Sequence, residues 1–213
     1  MHQAIFFKIL FFFPLVICFS CKGKKGTRIS GFIERKIELD SGLGVISVTL
    51  PAGLDEYIIW PDRNNGTIER INYRFYNTEY PVVRDKANGA SSDRLDSIYQ
   101  FTVQETDLAG VELSRRSCFS KIDSLRILGK IYQGTDSYTD NILREFKLIN
   151  NRLFSVQILR STGLPDSPTT LYVVGKTCLG TKRLAFIAQF RGKDTTGFFA
   201  NMYKSILSIR ITE

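Results

Sequence analysis

The sequence predicts an α+β domain, in which a C-terminal amphipathic helix packs on an antiparallel β-sheet. Two consecutive hairpin patterns predict the sheet, because apolar and polar residues alternate on both sides of short turns at 144–159 and 171–190. A change of period near the end of the chain predicts the helix. Five apolar residues recur there at helical spacing: Phe198, Phe199, Met202, Tyr203 and Ile206.

The first 20 residues have the features of a secretory signal peptide. Lys8 precedes an apolar run at 9–19. A helix needs about 20 apolar residues to cross the hydrocarbon core of a bilayer, and this run is much shorter. We therefore expect residues 1–20 to be a cleaved signal and not a membrane-spanning helix.

The signal ends in the segment 17–21 (ICFSC), where the small residue Ser20 precedes Cys21. This segment resembles the lipobox of bacterial lipoproteins, in the relaxed form of Bacteroidetes-like lipoproteins. The resemblance implies cleavage before Cys21 and attachment of acyl chains such as palmitate to its sulfur, which makes the lipid bilayer the first expected partner. Two or more acyl chains hold a protein stably at a membrane. The alternative is a cleaved secretory protein without lipid.

Residues 21–30 form the predicted lipidated tether. Four cations and two glycines lie within 22–28, a composition typical of a flexible segment that is attracted to anionic headgroups. Lys22 follows Cys21, in place of the aspartate that is associated with inner-membrane retention, and no acidic run follows. We therefore expect a lipid anchor in the outer membrane with the body facing the periplasm. The inner membrane and the cell surface are the alternatives.

Residues 31–213 are predicted to form a single domain, because no repeat, low-complexity segment or Pro-rich linker divides them. The chain has 29 Lys and Arg against 21 Asp and Glu. Five of these cations lie in the signal and the tether, so the body is close to neutral. A nucleic-acid-binding domain would need a concentrated basic face, and we expect no nucleic-acid partner.

Alternating residues predict several strands before the two hairpins. These are 32–39, 45–50, 55–60, 67–76, the end of 94–103, and 110–119. Polar composition predicts loops at 61–66 and 81–92. Within these loops, 62–66 and 84–92 are polar and long enough to carry recognition residues.

The two hairpins differ in their turns. The first joins 144–149 to 152–159 through Asn150 and Asn151, residues that tolerate positive φ. The second joins 171–177 to 184–190 across 179–182. Asp194 or Thr195 is the expected helix N-cap, and a terminal strand is expected at 208–212.

Two cysteines remain in the body, Cys118 and Cys178. An exported chain enters an oxidising compartment, so the pair is a candidate disulfide. Such a bond would close a loop of about 60 residues, worth roughly 4 kcal/mol in the chain-entropy description. Two buried free thiols are the alternative.

The mature chain is expected to contain no histidine, because the only one, His2, lies in the signal. This excludes Ser-His-Asp and Cys-His catalysis and histidine-ligated zinc. No Gly-rich phosphate-binding motif occurs. We therefore expect no cofactor, no metal and no enzymatic activity. A histidine-free hydrolase is left open by two acidic pairs, Asp93 with Asp96 and Asp136 with Asp140.

Three segments of the body resemble the Mog1/PsbP-like fold, an antiparallel sheet flanked by helices. They are the strand with its proline at 46–51 (ISVTLP), the hairpin at 171–190, and the helix-to-tail segment at 203–209 (YKSILSI). The resemblance implies a scaffold for binding or assembly, and it carries no catalytic residues to this chain.

These observations favour a membrane-anchored, non-enzymatic envelope lipoprotein that acts by protein–protein contact, as an assembly factor or an inhibitor of an envelope enzyme. The alternative is a periplasmic lipoprotein that binds a small ligand or a glycan. A pocket lined by Tyr73, Tyr76 or Tyr99 with convergent polar groups would favour that alternative.

Overall fold

The computed structural model describes residues 28–29, 31–64, 67–80, 82, 97–107, 139–162, 168–180, 182–192 and 197–213. The predicted signal peptide and Cys21 lie outside these residues, and so does the segment 110–119. No helix in the described part of the chain is long and apolar enough to cross a membrane.

The described strands form two antiparallel sheets, so the fold class predicted from sequence is confirmed, with two sheets in place of one. The smaller sheet has the order β1-β2-β3-β11. Its strands are β1 (Arg28–Ile29), β2 (Phe32–Glu38), β3 (Val45–Pro51) and β11 (Arg210–Thr212). A 3₁₀ turn at Asp40–Gly42 connects β2 to β3.

The larger sheet has the order β4-β5-β6-β10-β9-β8-β7, and every pair is antiparallel. Its strands are β4 (Glu56–Asn64), β5 (Thr67–Tyr76), β6 (Ile98–Asp107), β7 (Thr139–Ile149), β8 (Arg152–Ser161), β9 (Thr170–Leu179) and β10 (Lys182–Arg191). Both predicted hairpins are confirmed as β7–β8 and β9–β10. Asn150 and Asn151 have φ values of 46° and 64°, as a two-residue turn requires.

The α-helix of the described residues, α1 (Phe198–Leu207), packs between the sheets, in contact with β3 of the smaller sheet and with β9 and β10 of the larger. Its buried side chains are Phe198, Met202, Ser205 and Ile206. The helix reaches the large sheet at Gly175, whose missing side chain leaves room for Ile206. The apolar stripe predicted from sequence is therefore the packing face of this helix.

The end of α1 is tied to the smaller sheet. Ser208 donates its hydroxyl to the carbonyl oxygen of Ser205 at 2.7 Å and accepts the backbone N–H of Thr49 at 2.8 Å. The chain then enters β11 beside β3. A Cβ on Gly44 would lie 2.1 Å from the carbonyl oxygen of Thr212, so only glycine at this position leaves room for β11.

Two local predictions were wrong. The predicted loop at 61–66 is strand as far as Asn64, because β4 continues through Pro61 with a bulge between Asp62 and Arg63. The N-cap of α1 is Gly197, with φ 73°, and not Asp194 or Thr195, which lie outside the described residues. No side chain caps this helix end. The segment 84–92, predicted to be a loop, also lies outside the described residues.

Candidate protein-contact surface

The β7–β8 hairpin of the large sheet carries several exposed apolar side chains, among them Leu148, the most exposed large apolar side chain in the described part of the chain. Leu148, Leu153 and Phe146 are exposed by 67%, 46% and 44%. Leu148 lies directly opposite Leu153 in the β7–β8 register. We call these three residues the β7 surface.

The three side chains share one face of the sheet. Phe146 and Leu148 are two residues apart on one strand, and strand residues two apart point to the same side. Their partners on β8 are Ser155 and Leu153, so Leu153 points to that side as well. Val156 and Phe154, on the alternate positions, are buried against the side that carries α1. The β7 surface therefore lies on the face away from the helix.

The other face of β7 carries charges that contact α1. Tyr203 of the helix donates its hydroxyl to Glu145 at 2.5 Å and accepts a hydrogen bond from Lys147 at 2.8 Å. Lys147 Nζ also lies 3.8 Å from Glu145 and 5.1 Å from the centre of the Tyr203 ring. The bond to Tyr203, followed by the nearby charges, raises the pKa of Lys147 above its usual value. The edge strand thus carries a negative and a positive side chain at alternate positions.

The β7–β8 turn is fixed to the end of the chain. Asn150 donates from its side-chain amide to the carbonyl oxygen of Ile209 at 2.6 Å. Arg152 donates to the carbonyl oxygen of Cys178 at 2.8 Å and pairs with the carboxylate of Glu213. These contacts hold the hairpin at the body, so the β7 surface is presented by an ordered strand.

The opposite edge strand, β4, is less suited to accept another strand. Its exposed apolar residues include Ile59 and Tyr57, and Tyr57 stacks on Phe75 with ring centres 4.7 Å apart. Pro61 lies in the middle of β4 and has no N–H to donate, and the bulge after Asp62 interrupts the strand. Strand β7 contains no proline along its 11 residues.

The three tyrosines named as candidate pocket residues do not all share one face of the sheet. Tyr73 is buried, and its hydroxyl accepts the backbone N–H of Asp40 at 3.0 Å and donates to Glu105 at 3.3 Å. Burial raises the pKa of Tyr73 above its usual value, and burial also raises the pKa of Tyr99 to about 12. Tyr76 follows Phe75, which is buried with Tyr73, and so points to the opposite side of the sheet.

Tyr99 belongs to an aromatic cluster under the helix and not to an open site. Its ring lies 5.7 Å from that of Phe190 and 6.5 Å from that of Phe198, both edge to face. Tyr80 packs on its other side at 5.8 Å. These contacts account for Tyr99 as a packing residue between the sheet and α1.

Glu105 forms a buried polar cluster that joins the two sheets. Its carboxylate lies 3.5 Å from Lys182 Nζ and accepts the hydroxyl of Tyr73. The backbone N–H of Asp40, in the turn of the smaller sheet, reaches the same carboxylate at 3.3 Å. Because Glu105 is almost completely buried, the cluster holds β5, β6 and β10 to that turn.

Asp62, predicted to be a recognition residue in a loop, is instead a buried structural acceptor. Its carboxylate accepts bonds from the indole N–H of Trp60 and from the amide of Asn72, both at 3.0 Å. Arg70 Nε lies 3.4 Å away. The guanidinium of Arg74 lies over the Trp60 ring at 4.6 Å. These polar residues fill the face of β4 and β5 that is turned away from α1.

The remaining predicted residues are mostly outside the described part of the chain. Cys21, Cys118, Asp93, Asp96 and Asp136 lie outside it. Asp140 is described, exposed at the start of β7 and opposite Arg160. Cys178 is disulfide-bonded. Its pairing with Cys118 stays a prediction. Among the described residues, no group of three or more acidic or cysteine side chains is arranged to hold a metal.

Sequence reasoning identified the strand at 144–149 but not its exposed face. Phe146 and Leu148 alternate with Glu145 and Lys147, a pattern that by itself predicts a buried apolar face. The available signal was the alternation of opposite charges on the second face, which is typical of an edge strand.

Comparison with solved structures finds distant similarity. A solution structure of cyanobacterial PsbP from Synechocystis sp. PCC 6803 is 13% identical, with a TM-score of 0.46, and the match covers 91% of this chain and 98% of that one. The Ran-binding protein Mog1p of Saccharomyces cerevisiae is 10% identical, with a TM-score of 0.44, over 84% and 96% of the two chains.

A mutant of Mog1 is 11% identical with a TM-score of 0.42, again over 84% and 96% of the two chains. No protein-family model and no curated protein matches the sequence. The body therefore has a weak resemblance to PsbP and Mog1, as its sequence predicted, and no functional argument rests on it.

Proposed function

We propose that this chain is a lipid-anchored, non-enzymatic envelope protein that acts by protein–protein contact. The observation that carries the proposal is the exposure of two apolar side chains that face each other on the β7–β8 hairpin, Leu148 at 67% and Leu153 at 46%. Exposed apolar side chains on an ordered strand gain burial when a partner docks on them. The contact is therefore made at these two residues of the β7 surface.

Two further features support this proposal. The two-residue turn and the bonds of Asn150 and Arg152 fix the hairpin, so little conformational entropy is lost when a partner binds. The expected acyl chains on Cys21 would hold the chain at the outer membrane, where an assembly factor or an inhibitor of an envelope enzyme meets its target.

The test is capture of partners from crosslinked envelopes with the full-length chain as bait. Leu148→Lys places a charge in the contact, and we expect it to abolish capture of any partner that the parent chain captures reproducibly. Because Leu148 is exposed, this substitution changes the free energy of unfolding by only about 0.5 kcal/mol.

The matched control is Ile59→Lys, which adds the same charge to an exposed residue on the opposite edge strand. We expect this variant to capture partners as well as the parent chain does. Capture that persists in the Leu148→Lys variant, or the absence of a reproducible partner, would contradict the proposal.

A further inference from the structure

Two buried hydrogen-bond donors lie beside the β7 surface without an acceptor. The hydroxyl of Ser155 and the side-chain amide nitrogen of Gln157 have no hydrogen-bond partner in the described part of the chain. These two residues are exposed by only 1% and 8%. Buried donors are almost always paired in folded proteins, so these two groups are candidates for contact with a ligand.

Both donors point to the same side of the sheet as the exposed apolar pair. Leu153, Ser155 and Gln157 occupy alternate positions of β8, and alternate strand residues share a face at steps of about 7 Å. Leu148 lies opposite Leu153 in the β7–β8 register. The two leucines and the two donors therefore form one continuous strip on the face away from α1.

The same face of β7, β8 and β9 carries cations and no acidic side chain. Arg144 lies opposite Gln157, and Lys176 lies opposite Ser155. The two acidic residues of these three strands are both on β7, and they pair in register with even-numbered residues of β8, so they point to the other face. A negatively charged acceptor therefore suits this strip better than a neutral one. Arg144 and Lys176 also have further contacts, and no bond to the ligand is assigned to either of them.

We infer that the β7 surface binds an extended segment of the partner in which an acidic residue follows an apolar residue by two positions. The inference rests on the proposed function, because it names the chemistry of the partner at the same contact. The apolar side chain lies on Leu148 and Leu153, and the carboxylate accepts hydrogen bonds from Ser155 and Gln157. Side chains two residues apart in an extended segment point to one side about 7 Å apart, which is the spacing along β8.

The two donors favour a carboxylate over a neutral oxygen. A hydrogen bond with one charged partner is roughly twice as strong as a bond between neutral groups. Ser155 stands between Phe146 and Lys176 in the strand register, and these longer side chains shield a carboxylate bound there from water. Hydrogen bonds are electrostatically stronger where water is excluded. A partner that presents an amide in place of the carboxylate therefore binds more weakly.

Photo-crosslinking with synthetic peptides tests the inference on the full-length chain in detergent micelles. The probe is acetyl-Gly-photoleucine-Thr-Glu-Gly-amide, whose photoleucine labels the chain at Leu148 or Leu153 even when binding is weak. One control peptide has Gln in place of Glu. A second control peptide exchanges Thr and Glu, so that its carboxylate points away from the strip. We expect the probe to label the chain about tenfold more than either control peptide does.

Substitutions on β8 show whether the two donors cause this preference. Ser155→Ala and Gln157→Leu together should abolish the advantage of the probe and leave labelling by the Gln peptide unchanged. Ser161→Ala is the matched control, because Ser161 lies on the same face farther along β8, and it should keep the full preference. Ser155→Ala should not lower the urea midpoint, since its hydroxyl has no hydrogen bond to lose.

The outcomes separate this inference from the proposed function. A preference for the probe that depends on Ser155 and Gln157 supports the inference. Equal labelling by the three peptides, or a preference that survives in the double variant, overturns it. A lower urea midpoint for Ser155→Ala also overturns it, because the hydroxyl is then bonded within the fold.

Leu148→Ser tests the apolar half of the contact separately. If this variant loses labelling by all three peptides and the three do not differ on the parent chain, the contact of the proposed function stands and only the inference fails. Labelling that is unaffected by Leu148→Ser contradicts the contact itself, and with it both the inference and the proposed function.

Discussion

Asp62 is the residue where composition misled the sequence reading and where a single substitution is most informative. We expect Asp62→Ala to lower the free energy of unfolding by about 2 kcal/mol, because it leaves the amide of the buried Asn72 and the indole N–H of Trp60 without their acceptor. Urea unfolding followed by circular dichroism measures the loss. Asp55→Ala, at an exposed residue just before β4, is the control and should change little.

If the two alanine variants unfold at the same urea concentration, Asp62 is not a structural acceptor. Sequence composition could not reveal its role. Proline, aspartate and asparagine are frequent in loops, and the segment 61–66 contains all three. The Asn72 amide that donates a hydrogen bond to Asp62 is ten residues away in sequence and belongs to the neighbouring strand.

Tyr99 makes the free energy of unfolding depend on pH in the alkaline range. Burial raises the pKa of Tyr99 to about 12, whereas the unfolded chain has a tyrosine pKa of about 10. The folded state therefore holds the phenol proton more tightly. This contribution to stability is complete below pH 10 and is lost as the pH rises towards 12.

We expect Tyr99→Phe to make the fall of the unfolding free energy between pH 10 and 12 less steep than in the parent chain. The slopes at pH 7 to 9, where the phenol is neutral in both states, should agree. Urea midpoints across this pH range provide the comparison. An unchanged slope above pH 10 would show that Tyr99 does not titrate abnormally.

At the scale of elements, local sequence patterns predicted the structure correctly wherever the conformation of an element depends on its own residues. The paired asparagines at 150–151 adopt the positive φ values that their chemistry predicts, and β3 buries Ile46, Val48 and Leu50 as its alternation predicts. The start of α1 was not predictable in the same way. Gly197 begins the helix through its backbone conformation alone, without the side-chain cap that sequence rules seek.

The packing of α1 on β9 depends on Gly175. A Cβ there would lie 3.1 Å from Cγ2 and 3.3 Å from Cδ1 of Ile206. We expect Gly175→Ala to destabilise the fold by about 1–3 kcal/mol, because the helix must shift away from the sheet. Thermal unfolding of the variant measures the loss.

A double-mutant cycle shows whether that contact is direct. Ile206→Ala creates a cavity by itself, but it also removes the atoms that the methyl group added by Gly175→Ala would meet. The double variant should therefore be more stable than the sum of the two single losses predicts. If the two losses of unfolding free energy are strictly additive, the strain of Gly175→Ala does not arise from its contact with Ile206.

At the scale of the whole molecule, sequence patterns predicted the class of the fold but not its division into two sheets. Strand β11 pairs with β3, although more than 150 residues separate them, and no local pattern encodes such a pairing. The same limit applies to the β7 surface. Its residues look like a core strand in sequence, and their exposure becomes evident only in the folded chain.

The cysteine pair is also a long-range feature. Cys178 is disulfide-bonded, and we expect Cys118 to be its partner. Cys118→Ser, Cys178→Ser and the double variant should then lose the same stability, roughly 4 kcal/mol for a loop of about 60 residues, because each removes the same bond. Non-reducing thermal unfolding tests this equality. A double variant that is clearly less stable than either single variant would contradict the pairing.

The proposed anchor would place all of these contacts at a membrane, and it would depend on Cys21. We expect the parent chain to incorporate labelled palmitate, Cys21→Ser to lose the label, and Cys18→Ser to retain it, because bulky Ile17 makes Cys18 a poor acceptor. Loss of the acyl chains removes about 0.8 kcal/mol of membrane affinity for each CH₂ that was buried, so the processed serine variant should leave the membrane fraction. If the Cys21→Ser variant still incorporates palmitate, the lipid is attached to another residue and Cys21 is not the anchor.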